Sequence, residues 1–147
     1  MNSCNCMAGI VRLEIVPEWS VERIRRAGGL ASVELAEGAE WRKIEMEEGE
    51  YSETAGSGDA KSRTLRCTLA IGLGANLLRE IELMTEERYV ARVTDGRGVQ
   101  WIVGDEQEPL TLTWSRTNEG KAAGRDEVEV TLSGEGRWGA TEARTAG

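Results

Sequence analysis

YVARVTDGRGVQWIVGDEQEPLTLTW, residues Tyr89–Trp114, decides the fold. Tyr89, Ala91 and Val93 fall at every second position, as do Val99, Trp101 and Val103, and then Leu110, Leu112 and Trp114. That is the period of strands with a buried face. Asp95-Gly96-Arg97-Gly98 separates the first two runs and reads as a tight hairpin turn. Gly104–Pro109 separates the second from the third. Three successive antiparallel strands result.

Working outward, RTLRCTLAIGL places Leu65, Cys67, Leu69, Ile71 and Leu73 on one face of a long strand. Val11, Leu13 and Ile15 alternate between Gly9 and Val16, Val33 and Leu35 alternate in ASVEL, and Val128, Val130 and Leu132 form a last strand. WRKIEMEEGEY, Trp41–Tyr51, reads as one strand with Ile44 and Met46 inward and Lys43 and Glu45 outward. Trp41, Trp101 and Trp114 share the phase of apolar neighbours and read as core. Two helices are expected. Ser20 caps a short one over Val21–Arg26 before Gly28-Gly29. Asn76 caps a second, in which Leu77, Ile81 and Met84 recur at i, i+4 and i+7 as far as Glu87. SETAGSGDAKS (Ser52–Ser62) and the stretch Ser115–Asp126 lack a period and read as long polar loops, the first of them mobile.

The fold class is therefore mainly β, a sandwich or barrel of about eight mostly antiparallel strands with one flanking α-helix. The expected organisation is a flexible N-terminus over residues 1–8, a single β-rich domain over 9–136, and a disordered tail over 137–147.

Composition narrows the chemistry. A net charge of -8 makes nucleic acid and anionic membranes poor partners. No apolar run reaches the roughly 18 residues of a membrane span, and MNSCNCMAGIVRLEIV lacks the basic start and long apolar stretch of a secretory signal, which points to a cytoplasmic chain. Histidine is absent, so serine–histidine and cysteine–histidine relays are excluded. Cys4 and Cys6 are spaced too closely for a usual zinc hook, two further ligands are missing, and Cys67 lies in a strand, so no metal is assigned. GLGAN, Gly72–Asn76, lacks the rest of any phosphate-binding fingerprint and reads as a turn into a capped helix. The acidic clusters EMEEGE and MTEER read as solvated faces. No catalytic residue and no cofactor are assigned.

GAEWRKIEMEEGEYSETA, RTLRCTLAI, a helix, ARVTDGRGVQWIVGDEQEPLTLTWS and DEVEVTLSGEG together resemble small structural proteins of phage and prophage gene clusters, in the pattern of tail-tube and tail-terminator proteins. The resemblance implies a non-enzymatic subunit that joins copies of itself into rings, often hexameric, or a tube, and that meets other tail proteins. It also implies a virion or assembled particle built in the bacterial cytoplasm, with DNA only as cargo in a lumen whose negative charge prevents sticking. Edge strands and the two polar loops are the expected contacts, with Ser57, Asp59, Arg97, Asn118 and Lys121 as interface candidates. The alternative is a small monomeric β-barrel that binds a ligand or protein, with an apolar pocket in its mouth.

Overall fold

A computed structural model describes residues 7–70, 76–116 and 127–144. Among the described residues twelve strands and one α-helix follow in chain order: β1 (Met7–Ala8), β2 (Arg12–Pro17), β3 (Val21–Ala27), β4 (Leu30–Leu35), β5 (Arg42–Ile44), β6 (Glu48–Ala55), β7 (Lys61–Ala70), α1 (Asn76–Met84), β8 (Arg88–Thr94), β9 (Gln100–Val103), β10 (Leu110–Arg116), β11 (Glu127–Gly136) and β12 (Thr141–Ala143). The fold is mostly β. All strands belong to one sheet that runs β1-β6-β7-β11-β10-β8-β9-β12-β4-β3, with β2 joining β5 and β8. Its two ends do not pair, so the sheet folds into sandwich-like layers without closing into a barrel. Every pairing is antiparallel except that of β12 with β4.

The Tyr89–Val103 stretch forms the middle layer, and it is buried on both faces. Tyr89, Ala91 and Val93 of β8 and Val103 of β9 point into a first core with Leu65, Cys67 and Leu69 of β7 and Val128, Val130 and Leu132 of β11. Ile81 and Met84 of α1 close one side of that core. The Tyr89 hydroxyl donates to the Met84 carbonyl over 2.8 Å and so fastens the end of the helix. On the opposite face, Val90, Ile102 and Val16 meet Val21 and Ala31 of the β3–β4 hairpin in a second cluster. Trp101 and Trp114 pack against the first cluster and Trp41 against the second.

Burial on both faces explains why Glu14, a charged residue of β2, is 4% exposed. It sits opposite Arg92 in the β2–β8 register and accepts from Arg92 Nε at 2.9 Å and Nη2 at 3.0 Å. Trp41 covers the pair, its ring centroid 4.6 Å from the Arg92 guanidinium.

Several boundaries differ from the sequence reading, each for a physical reason. Val21–Ala27 is strand, not helix. Gly28 and Gly29, read as a helix stop, both have positive φ (62° and 79°), the conformation of a two-residue hairpin turn between β3 and β4. A helix of one or two turns had little stability to set against that pairing. Trp41–Tyr51 splits because the chain changes layers: β5 pairs with β2 and β6 with β7. Ser52–Ser62 is not a mobile loop. It is the paired ends of β6 and β7 around a short Gly56–Ala60 turn. Its inward positions are Glu53 and Arg63, so apolar alternation is missing although the ladder is intact. The helix ends at Met84 rather than Glu87. The tail expected to be disordered instead contributes β12, held between β9 and β4. Residues 117–126 of the second loop lie outside the described residues, as do Ile71 and Leu73 of the long strand.

Candidate functional site

Two arginines organise the polar interior where β7, β11 and the Gly104–Pro109 loop meet. Arg63 is fully buried. Its guanidinium donates to three carbonyls: from Nε to Gly134 at 3.0 Å, from Nη1 to Trp138 at 3.2 Å and from Nη2 to Glu108 at 2.9 Å. The planar fork spreads its donors over three nitrogens, where a lysine would carry all of its donors on one. The strand beside it must be bare. A Cβ on Gly136 would stand 2.6 Å from Arg63 Nη2.

Next to this fork, the Tyr51 hydroxyl donates to Glu53 at 2.7 Å, and the Ala140 N–H is shared by Tyr51 Oη and Glu53 Oε1, each at 3.2 Å. Burial, and then the neighbouring Glu53 carboxylate, push the Tyr51 phenol well above its ordinary range. Lys61 approaches Glu53 at 3.6 Å. These contacts fix the backbone from Gly134 to Ala140, and hence the point at which Trp138 leaves the core.

Arg26 of β3 does the corresponding work from the other side. It donates to Thr141 Oγ1 at 2.7 Å, approaches Asp105 at 3.6 Å, and stacks over Trp138 with 4.7 Å to the ring centroid. Its Nε is buried without a hydrogen-bond partner. Asp105 accepts from the Gln107 N–H at 2.9 Å, the Asx turn expected of a Gly-Asp loop. Glu106 accepts from the Ile24 N–H at 2.8 Å. That N–H belongs to the outer edge of β3, so Glu106 occupies a rung that another strand would need. This blunts the edge in the way soluble sheets avoid unwanted pairing.

The two adjacent carboxylates titrate apart. Burial, followed by the hydrogen bond and charge of Asp105, raises Glu106. For Asp105 burial acts upward, but its hydrogen bonds from Glu106 and the Gln107 N–H, with the charge of Arg26, outweigh it and hold the group low. A folded-state pKa raised above the unfolded value means that ionised Glu106 costs stability at neutral pH, and that the cost disappears on acidification. Glu106→Gln keeps an acceptor for Ile24 and removes the charge. It is expected to raise the thermal midpoint at pH 7, with the advantage fading below about pH 4, where the carboxylate is protonated anyway. Thermal melts at the two pH values check this; an equal or lower midpoint at pH 7 would contradict it.

Beside Arg26 a cleft of about 460 Å³ opens at the β3–β4 turn. Trp101, Trp138, Leu30 and Glu142 line it. Glu142 pairs in register with Trp101 on one side and Leu30 on the other, so these three side chains share a face. Trp101 is fixed by its Nε1–H, which donates to Asp95 at 3.1 Å. That bond, with further donors from Arg97 and Val99, holds Asp95 down at about 2. A second, smaller gap of about 110 Å³ lies between α1 and the first core, lined by Ile44, Leu69, Ile81, Met84, Leu112 and Val130. Arg42 and Glu80 bridge its rim at 3.0 Å.

The residues expected at interfaces lie elsewhere. Ser57 and Asp59 are exposed at the tip of the β6–β7 turn. Arg97 is exposed at the β8–β9 turn, but its guanidinium is 3.2 Å from Asp95 and its N–H 2.8 Å, so it braces the turn that fixes Trp101. Among the described residues no hydrogen bond or ion pair joins Ser57 or Asp59 to Arg97, and Asn118 and Lys121 fall outside the described residues. Sequence reasoning passed over Arg26, Trp138 and Glu142. The first was placed in a helix and the others in or beside a tail, and the only local signal was an isolated tryptophan in GRWGATEA. No protein-family model, curated protein or solved structure matches this chain.

Proposed function

We propose that this protein is a non-enzymatic structural subunit that works by joining to copies of itself, in a phage tail or tail-like particle of ring or tube form. The observation that supports the reading is exposed apolar surface beside the C-terminal end of α1. Trp19 is 68% exposed and Leu83 61% exposed. The Trp19 indole donates to Glu87 at 2.6 Å, and Glu87 follows the end of α1, where the Glu86 N–H bonds back to the Leu83 carbonyl. Both side chains therefore stand at the C-terminal end of α1, and a tryptophan held this way suits the centre of a contact. Lateral joining by strand addition at β3 is disfavoured, because Glu106 already fills that edge. Contact through side chains is the favoured mode.

Negative-stain microscopy of the purified protein is expected to show rings or short tubes. The variant Trp19→Ser/Leu83→Ser changes only exposed positions, so it is expected to keep the wild-type fold and to weaken self-association by roughly 100-fold. Separate particles of monomer size in the wild type, or unchanged assemblies in the variant, would count against the reading. A monomeric binding module is the second reading. The tryptophan cleft and the small apolar gap beside α1 favour it.

A further inference from the structure

A buried arginine, a partly buried one and a buried aspartate hold two partly exposed tryptophans in place. Arg63 grips the Trp138 carbonyl, Arg26 covers its ring, and Asp95 fixes the Trp101 indole through its N–H. Trp138 remains 41% exposed despite this support. An aromatic surface set in advance by charged groups needs little reordering when a ligand lands on it, which is the main saving in binding. The cleft that both rings line, at about 460 Å³, lies within the range of about 300–1,000 Å³ usual for small-molecule sites.

The polar groups of the cleft select among ligands. Trp101 has spent its N–H on Asp95, so it has no donor for the carbonyls of a proline-rich peptide. A guanidinium already lies on Trp138, so a second cation would meet repulsion there. Thr141 Oγ1 is used by Arg26 and by the Gly139 carbonyl. Glu142 is different: among the described residues its carboxylate has no hydrogen-bond or ion-pair partner, and it stands in register beside Trp101. An aromatic floor with an open carboxylate acceptor suits a ring whose C–H face is apolar and whose hydroxyls donate. The carboxylate, with a chain charge of -8, turns away acidic rings. From this geometry we infer that the cleft lined by Trp101 and Trp138 is a binding site for a neutral saccharide, stacked on the indoles and hydrogen-bonded to Glu142. The inference does not depend on self-association.

The test is titration of the full chain with maltose, cellobiose and lactose, each to roughly 50 mM, enough to populate a site of millimolar affinity. The indole N–H resonances of Trp101 and Trp138 report binding, and a neutral glycan array extends the search. At least one of these sugars is expected to shift both resonances. Glu142→Ala, at an exposed position, is expected to weaken the response about tenfold, the effect of losing one good hydrogen bond. Trp138→Ala is expected to abolish the response, with the Trp101 resonance and circular dichroism reporting that the fold survives. If Trp138→Ala fails to fold, Glu142→Ala alone decides. No response from any sugar or array glycan would overturn the inference. So would a Glu142→Ala protein that binds as wild type, or a proline-rich or cationic peptide that shifts the two resonances where sugars do not.

Discussion

Arg63→Ala is expected to lower the free energy of unfolding by about 3–5 kcal/mol, which for a domain stable by roughly 5–15 kcal/mol is a large fraction of the total. The cost comes less from the lost bonds than from what they leave behind. The carbonyls of Gly134, Trp138 and Glu108 lose their shared donor. A cavity the size of the side chain adds to it. Arg63→Lys is expected to recover no more than about a third of the loss, because the ammonium has one nitrogen where the guanidinium uses three separate ones to reach the three carbonyls. Urea unfolding of the three proteins measures this directly. A cost under about 1 kcal/mol for the alanine variant would show that the cluster is incidental to stability. Hydrogen exchange should also show the Trp138–Ala143 segment opening first, since Arg63 is what ties its entrance to the core.

The second large effect is expected in the middle layer. Arg92→Ala strands the Glu14 carboxylate in a nearly closed site and removes the guanidinium from the Trp41 ring. Breaking one side of a buried pair costs roughly 3–5 kcal/mol, and the lower end is expected because Arg12, at 3.3 Å from Glu14, remains. The pH dependence has a defined sign. Burial pushes Glu14 up, but hydrogen bonds and charge from Arg92, then from Arg12, outweigh it and leave the group below its ordinary value. A depressed carboxylate stabilises the fold above the unfolded-state pKa of about 4.3, and that contribution is lost as pH falls through the folded-state value. The gap between wild type and Arg92→Ala should therefore be full at pH 7 and narrow below about pH 4. Adding Glu14→Gln to Arg92→Ala should recover part of the loss, which a double-mutant cycle at pH 7 reads as coupling. Strict additivity of the two changes would contradict a working pair.

What the sequence disclosed and what it hid divide along chemical lines. Where the inward positions are apolar, the strands are visible: Leu65, Cys67 and Leu69 of β7, Val128, Val130 and Leu132 of β11, and the Tyr89–Trp114 meander apart from Val99, which precedes β9, point where alternation places them. Where an inward position is charged, alternation fails and the same ladder reads as loop. Glu53 and Arg63 hid the ends of β6 and β7 in this way. Arg92 hid the second buried face of β8, because its charge marks that phase as polar although Val90 packs inward there and Glu14 neutralises the guanidinium. Glycine pairs are ambiguous in a different sense. Gly28-Gly29 ends a helix or turns a hairpin with equal ease, and only the partner strand β4 decides. The cleft was the least legible part, since Arg26, Trp101 and the pair Trp138 and Glu142 come from three separated segments and each looks ordinary alone. β12 is three residues long and exists through its neighbours β9 and β4, a dependence that no local pattern encodes.

Self-association is the claim on which the functional reading turns, and sedimentation velocity over a wide concentration range tests it most directly. A species well above the 16.1 kDa of one chain, growing with concentration and lost in Trp19→Ser/Leu83→Ser, is the predicted result. A single boundary at the mass of one chain across the whole range would contradict it.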